Sequence, residues 1–188
     1  MILMKDIIDE NHPNIRKVAQ PVEFPLSEED QVLVEDLQEF LLNSQDEELA
    51  EKYGLRPGVG IAAPQVNQLK QIFALHVTEY DEKTDEFEPI LSEVMINPKI
   101  VSHSVQQAAL RNGEGCLSVN RDVPGLVPRH QIITIEYLDA QGNSHRKRLR
   151  GYEAIVVQHE YDHLLGKLFY DHIDPVDPWG EPEGIRLI

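Results

Sequence analysis

His159-Glu160-Tyr161-Asp162-His163 constrains this chain more than any other stretch, because its two histidines share a purpose only if the segment is a helix. On a helix, positions i and i+4 lie on one face, so both imidazoles can reach a single metal ion. Glu160, next in sequence to the first histidine, can then lie beside a metal-activated water as its general base. The period from Gly151 to Leu165 is helical, and Gly166 is a natural residue to end it. The pattern alone is weak, since two surface histidines on an ordinary amphipathic helix give the same text. Ile155 and Val156 stand one turn before His159, however, so the histidine face continues an apolar, buried face. Buried imidazoles need partners for their nitrogens, and a metal supplies them.

The text around this helix is mostly strand. Gln71 to Val77 and Val94 to Val101 are apolar runs, and the acidic stretch Asp81 to Glu88 between them reads as a hairpin tip. Gln131 to Leu138 alternates β-branched residues, and Gln141-Gly142-Asn143 supplies the turn of a second hairpin. An earlier helix starts at Ser27, a hydroxyl cap followed by Glu28, Glu29 and Asp30, with Val34, Leu37 and Leu41 at helical spacing. Glu28 to Glu51 carries ten acids and no Lys or Arg, read as a solvated helix face. The expected class is α+β, with mixed and antiparallel strands packed around a central metal-binding helix. At 188 residues the chain is expected to form one domain, 1–188.

Two histidines leave the third ligand to be found. The extended pattern H-E-x-x-H-x-x-G-x-x-H keeps its glycine as Gly166 but has Phe169 where its last histidine belongs. Glu183 stands at the distance from His159 that a zinc endopeptidase would use, but in Glu181-Pro182-Glu183-Gly184, which cannot be a helix interior. Cys116 is the better candidate. It lies in the glycine-flanked turn Asn112-Gly113-Glu114-Gly115-Cys116-Leu117-Ser118, and a His₂Cys set leaves a position open for water. As the only cysteine, Cys116 also rules out an internal disulfide framework. The net charge of −16 opposes nucleic-acid and anionic-membrane binding. No signal-peptide core or membrane-length apolar run occurs, so the chain is expected to be cytoplasmic.

Three segments together resemble one family. Gly58-Val59-Gly60-Ile61-Ala62-Ala63-Pro64-Gln65 is similar to the G-x-G-x-A-A-x-Q motif of peptide deformylases. Glu114-Gly115-Cys116-Leu117-Ser118 resembles their E-G-C-L-S motif, and Gln158 to His163 their Q-H-E-x-D-H motif, in the family's order. The stretch from Asn43 to Pro57 and the Cys-loop text Val119 to Gly125 resemble the longer form common in Gram-positive bacteria.

The resemblance implies removal of the N-formyl group from the initiator methionine of nascent polypeptides, releasing formate. It maps metal ligands onto Cys116, His159 and His163, the general base onto Glu160, and oxyanion donors onto the Gln65 side-chain amide and the Leu117 N–H. The ion it implies is ferrous iron, with zinc, nickel or cobalt as alternatives. Ile155 and Val156 are expected to wall a methionine pocket with Tyr152 nearer its mouth, while Val59 and Gly60 line a groove for an extended peptide. Arg129 is expected to pair with Glu114 and support the Cys116 turn. Gly151 to Ile188 holds eight acids against Lys167 and Arg186, which argues against a basic ribosome-docking helix and leaves transient ribosome proximity.

Overall fold

Ser27 opens the first long helix as its side chain dictates: the hydroxyl accepts from the Asp30 amide at 3.1 Å, and acids fill the first turn, where the helix dipole favours them. A computed structural model describes residues 1–188. In chain order it contains helices α1 (Glu28–Gln45) and α2 (Glu47–Tyr53), then strands β1 (Gly60–Ala62), β2 (Ile72–Asp81), β3 (Glu86–His103) and β4 (Gln107–Ala109). Strands β5 (Arg129–His130), β6 (Ile132–Leu138) and β7 (Ser144–Arg150), helix α3 (Gly151–Leu164) and strand β8 (Arg186–Leu187) follow. Short 3₁₀ turns cover Ala63–Val66 and Phe169–His172.

Five strands form an antiparallel sheet in the order β1-β2-β3-β6-β7. Three short strands form a second, mixed sheet in the order β5-β4-β8, in which β4 and β8 run parallel. This is the expected α+β class, with helix α3 against the sheet. β2 explains the architecture. Ile72 and Ala74 join Val34, Leu37, Phe40 and Leu41 of α1 on one face. Phe73, Leu75 and Val77 join Ala154, Val156 and Val157 of α3 on the other. A strand covered on both faces has no polar side to present, so its sequence is a continuous apolar run.

The structure extends or departs from expectation in four places. β2 and β3 run through the acidic stretch, pairing Glu79 with Glu88 and Tyr80 with Phe87, so the hairpin tip shrinks to residues 82–85. Tyr80 and Phe87 lie 5.5 Å apart across it, a pairing that holds the ladder where burial does not. The stretch Asn43 to Pro57 contains α2, capped by Asp46, which accepts from the Leu49 amide at 2.9 Å. The motif segment that begins at Gly58 passes into β1, an edge strand three residues long. Asp30 leaves the solvated acidic face: it is buried and pairs with Lys70.

Helix α3 stops where Gly166 follows with φ +69°, and a Cβ there would lie 2.3 Å from the Arg16 carbonyl oxygen. The remaining tail folds back over the Cys116 turn. The Leu126 amide donates to the Pro178 carbonyl at 2.7 Å, and β8 pairs with β4. No helix is long and apolar enough to cross a membrane.

Candidate metal centre

Helix α3 presents His159 and His163, and the turn before Val119 brings Cys116 to them. The Cys116 sulfur lies 3.3 Å from His163 Nε2, and one donor atom from each of the three residues falls within 4.8 Å of the others. Burial alone would push the Cys116 thiol up, but the adjacent His163 and His159 outweigh it and hold the thiol well below its ordinary range. Burial likewise opposes a charged His159, yet Cys116 and Glu114 hold that imidazole well above its ordinary value. The two shifts belong to one thiolate–imidazolium pair: the sulfur is in its ligating form, and a divalent cation would displace the proton shared among the donors. The donor set therefore fits a metal ion, and its N₂S composition suits zinc or another borderline-soft ion. Glu183 is exposed in the tail and is no part of this cluster, so the alternative ligand set of the sequence reading falls away.

A buried ionic network orients the first histidine. Glu114 lies 2.7 Å from His159 Nδ1, which directs the other ring nitrogen into the cluster. Arg129 grips both oxygens of Glu114 at 2.9 Å and reaches Asp162 with its remaining arm. His172 Nε2 contacts the same Asp162 oxygen at 2.7 Å. Burial would raise both acids. Arg129 and His159 instead hold Glu114 at about 2, and His172 with Arg129 holds Asp162 at about 2. The Arg129–Glu114 pair matches the sequence expectation. The Glu114–His159 bond, Asp162 and His172 were not foreseen, since only the fold brings them together.

Glu160 is buried, and its Oε2 has no hydrogen-bond partner within the chain. Burial pushes its carboxyl up to about 7, against the pull of His159 and His163. A carboxyl balanced near neutrality can both take and return a proton. Gly60 makes room for it: a Cβ at that position would stand 2.5 Å from Glu160 Oε1. Gln65 is fixed by its own oxygen, which accepts from the Ala62 amide at 2.9 Å. Its Nε2 is thereby turned toward Cys116 Sγ at 3.5 Å and Ser118 Oγ at 3.2 Å. The Leu117 N–H donates to nothing within the chain.

A cleft of about 360 Å³ opens over this cluster. Gln65, Cys116, Leu117, His159 and Glu160 line it together with Val59, Gly60, Tyr152, Ile155 and Val156. Tyr152 is 38% exposed at the mouth, while Ile155 and Val156 are buried in the wall. His163 sits behind the lining. Gln45, Arg56 and Leu110 also line the cleft, and sequence reasoning missed them because no motif carries them. The edge of β1 faces the same space. His76 N–H donates to Val59 C=O, so by antiparallel alternation the backbone groups of Gly60 point away from β2.

Residues 4–179 match the model of a family described as polypeptide deformylase. The chain is 56% identical over 188 residues to the peptide deformylase of Latilactobacillus sakei, covering 100% of both. It is 58% identical over 186 residues to that of Limosilactobacillus fermentum, covering 98% of this chain and 97% of the relative. Among solved structures it resembles a Met-Ala-Ser-bound class I type b peptide deformylase from Acinetobacter baumannii. The TM-score there is 0.69 at 28% identity, covering 89% of this chain and 96% of that one.

Proposed function

The chain belongs to the peptide deformylase family, and from that membership we infer which of its residues hold the metal and which perform the hydrolysis. The family reaction removes the N-formyl group from nascent polypeptides and releases formate, and this chain is a metal-dependent hydrolase of that kind. Cys116, His159 and His163 would hold the metal, a reading supported by their shared donor cluster. When bound, the metal supplies Lewis acidity, which acidifies water and polarises the formyl oxygen.

Glu160 takes the proton from the attacking water and returns it to the leaving amine. Its position carries this assignment: the carboxylate lines the cleft beside the donor cluster, with Oε2 free of any partner in the chain. Gln65 Nε2 and the Leu117 N–H are the donors that meet negative charge developing on the formyl oxygen. The free edge at Gly60 pairs with the peptide backbone in extended form, so the downstream residues run past Val59 toward Pro57. Ile155 and Val156 receive the methionine side chain, with Tyr152 at the entrance. The bound Met-Ala-Ser of the Acinetobacter structure has the chemistry of a deformylated product, which supports a methionyl occupant here.

Ferrous iron is the resident ion of this reading, and zinc, nickel or cobalt suit the same donors. Nascent chains as substrates support a cytoplasmic location. Contact with the ribosome would be transient, because a net charge of −16 repels RNA. The test is formate release from a short N-formylmethionyl peptide by protein purified without oxygen, with metal counted on the same sample. Many turnovers with about one metal per chain are expected. A filled site that releases no formate would overturn the assignment.

A further inference from the structure

The Leu117 N–H belongs to the peptide unit that joins Cys116 to Leu117, and the other end of that unit is the Cys116 carbonyl. Arg56 Nη2 donates to this carbonyl at 3.2 Å, and the Val119 N–H donates to it at 3.1 Å. Arg56 Nη1 donates to the Leu117 carbonyl at 3.3 Å and to Asn120 Oδ1 at 2.8 Å. All three acceptors of Arg56 are uncharged oxygens, so no carboxylate of the chain takes its charge, which the exposed side chain shares between the loop and water. An amide whose oxygen accepts from a cation loses electron density at nitrogen, and its N–H becomes a stronger donor. Charge-assisted bonds are roughly twice as strong as neutral ones, and linked hydrogen bonds polarise one another.

We propose that Arg56 is a positioning residue for deformylation, which holds and polarises the Cys116–Leu117 peptide so that its N–H meets the charge on the formyl oxygen. The proposal rests on the reading of Leu117 as an oxyanion donor. Arg56 reaches the peptide from its carbonyl side, opposite the N–H, and so works through it rather than on the reacting atoms. No sequence motif marks it, because its partners lie about sixty residues downstream.

The test compares Arg56→Met, which keeps an unbranched stem and removes the charge, with Arg56→Lys, which restores charge on a single donor group. Each is assayed for kcat and KM on an N-formylmethionyl tripeptide, for metal per chain and for melting temperature. The Leu117 amide is followed by nitrogen-15 NMR of the zinc-loaded protein. Removing an oxyanion donor costs about 10²–10³ in kcat, so weakening one is expected to cost the Met variant about tenfold. Its KM, metal content and melting temperature should stay near wild type, its Leu117 amide proton should move upfield, and the Lys variant should recover part of kcat. A raised KM at unchanged kcat would make Arg56 a substrate contact and overturn the proposal. So would an unmoved Leu117 resonance, or a moved one with kcat intact. A parallel fall in kcat and melting temperature that Lys does not rescue would reduce Arg56 to a structural brace. Absence of formate from the metal-filled wild type would be a separate failure, that of the deformylase assignment itself.

Discussion

Replacing Gly60 with alanine tests the placement of Glu160 with one added carbon. The new Cβ would stand 2.5 Å from Glu160 Oε1 and 2.8 Å from its Cγ and Cδ. Ordinary contact begins at 3.4 Å, so either strand or carboxylate must yield by most of an ångström. β1 is the stiffer partner: each of its three residues is paired with β2, and the Ala62 amide is held by Gln65. Glu160 therefore retreats. A displacement of about 1 Å in a positioned group costs about 10²-fold, so kcat is expected to fall roughly a hundredfold. The atoms nearest the new carbon all belong to Glu160, which leaves metal uptake intact. The assay is anaerobic formate release at measured metal occupancy, with KM determined alongside. In a Glu160→Ala background the same substitution should leave metal content and melting temperature unchanged, because all three atoms that the new carbon meets are gone. Turnover within about threefold of wild type at full occupancy would refute the steric argument. A loss confined to KM would mean that the substrate backbone, rather than Glu160, needs the room.

Arg129→Met leaves Glu114 and Asp162 buried without their cation. Removing one partner of a buried pair costs about 3–5 kcal/mol, which in a chain of this size lowers Tm by about 10 °C. Calorimetry checks this, and metal affinity should fall with it because Glu114, no longer held by Arg129, orients His159 less firmly. Gln65→Ala removes a side-chain donor and is expected to lower kcat by about 10²–10³ at constant metal content, measured by the same formate assay. Asp30 supplies the pH dependence. Burial would raise its carboxyl, but hydrogen bonds from Lys70 and Ser27 hold it below its ordinary 3.8. A depressed folded-state value contributes stability above pH 3.8 that is lost as pH falls through that lower value. Asp30→Asn should therefore cost about 1 kcal/mol at pH 7, and urea melts of the two proteins should converge in strong acid.

The helix bearing His159 and His163 was legible because its message is local: the i, i+4 spacing, the apolar residues one turn earlier and the glycine stop lie in one short stretch. Ser27 was legible for the same reason. Cys116 could be nominated as a ligand from its glycine neighbours, but only the fold sets its sulfur 3.3 Å from His163. What escaped is non-local. β8 is two residues long and pairs with a strand far upstream, and no periodicity survives in so short a piece. The arms of the β2–β3 hairpin were hidden by their acids, because a ladder exposed to solvent needs no apolar alternation. Asp162 sits inside the recognised motif, yet its link to Arg129 and His172 depends on how the tail folds back. Arg56 lies in a Pro/Gly loop that resembles any other turn until Cys116 is placed beside it.

The metal cluster also has a mechanical consequence. Cys116 and His163 are 47 positions apart in a chain with one cysteine, and an ion held by both closes that span into a ring. Closing a loop of this length by a crosslink is worth about 4 kcal/mol in lost unfolded-chain freedom. An ion held there would do reversibly what a disulfide does covalently, tying the Cys116 turn to helix α3 across β5, β6 and β7. Stripping it would be expected to loosen the turn before the five-stranded sheet, whose ladders and two helical covers pack without it. The supply of metal thereby becomes a term in how long the folded chain survives proteolysis, as well as in how fast it turns over.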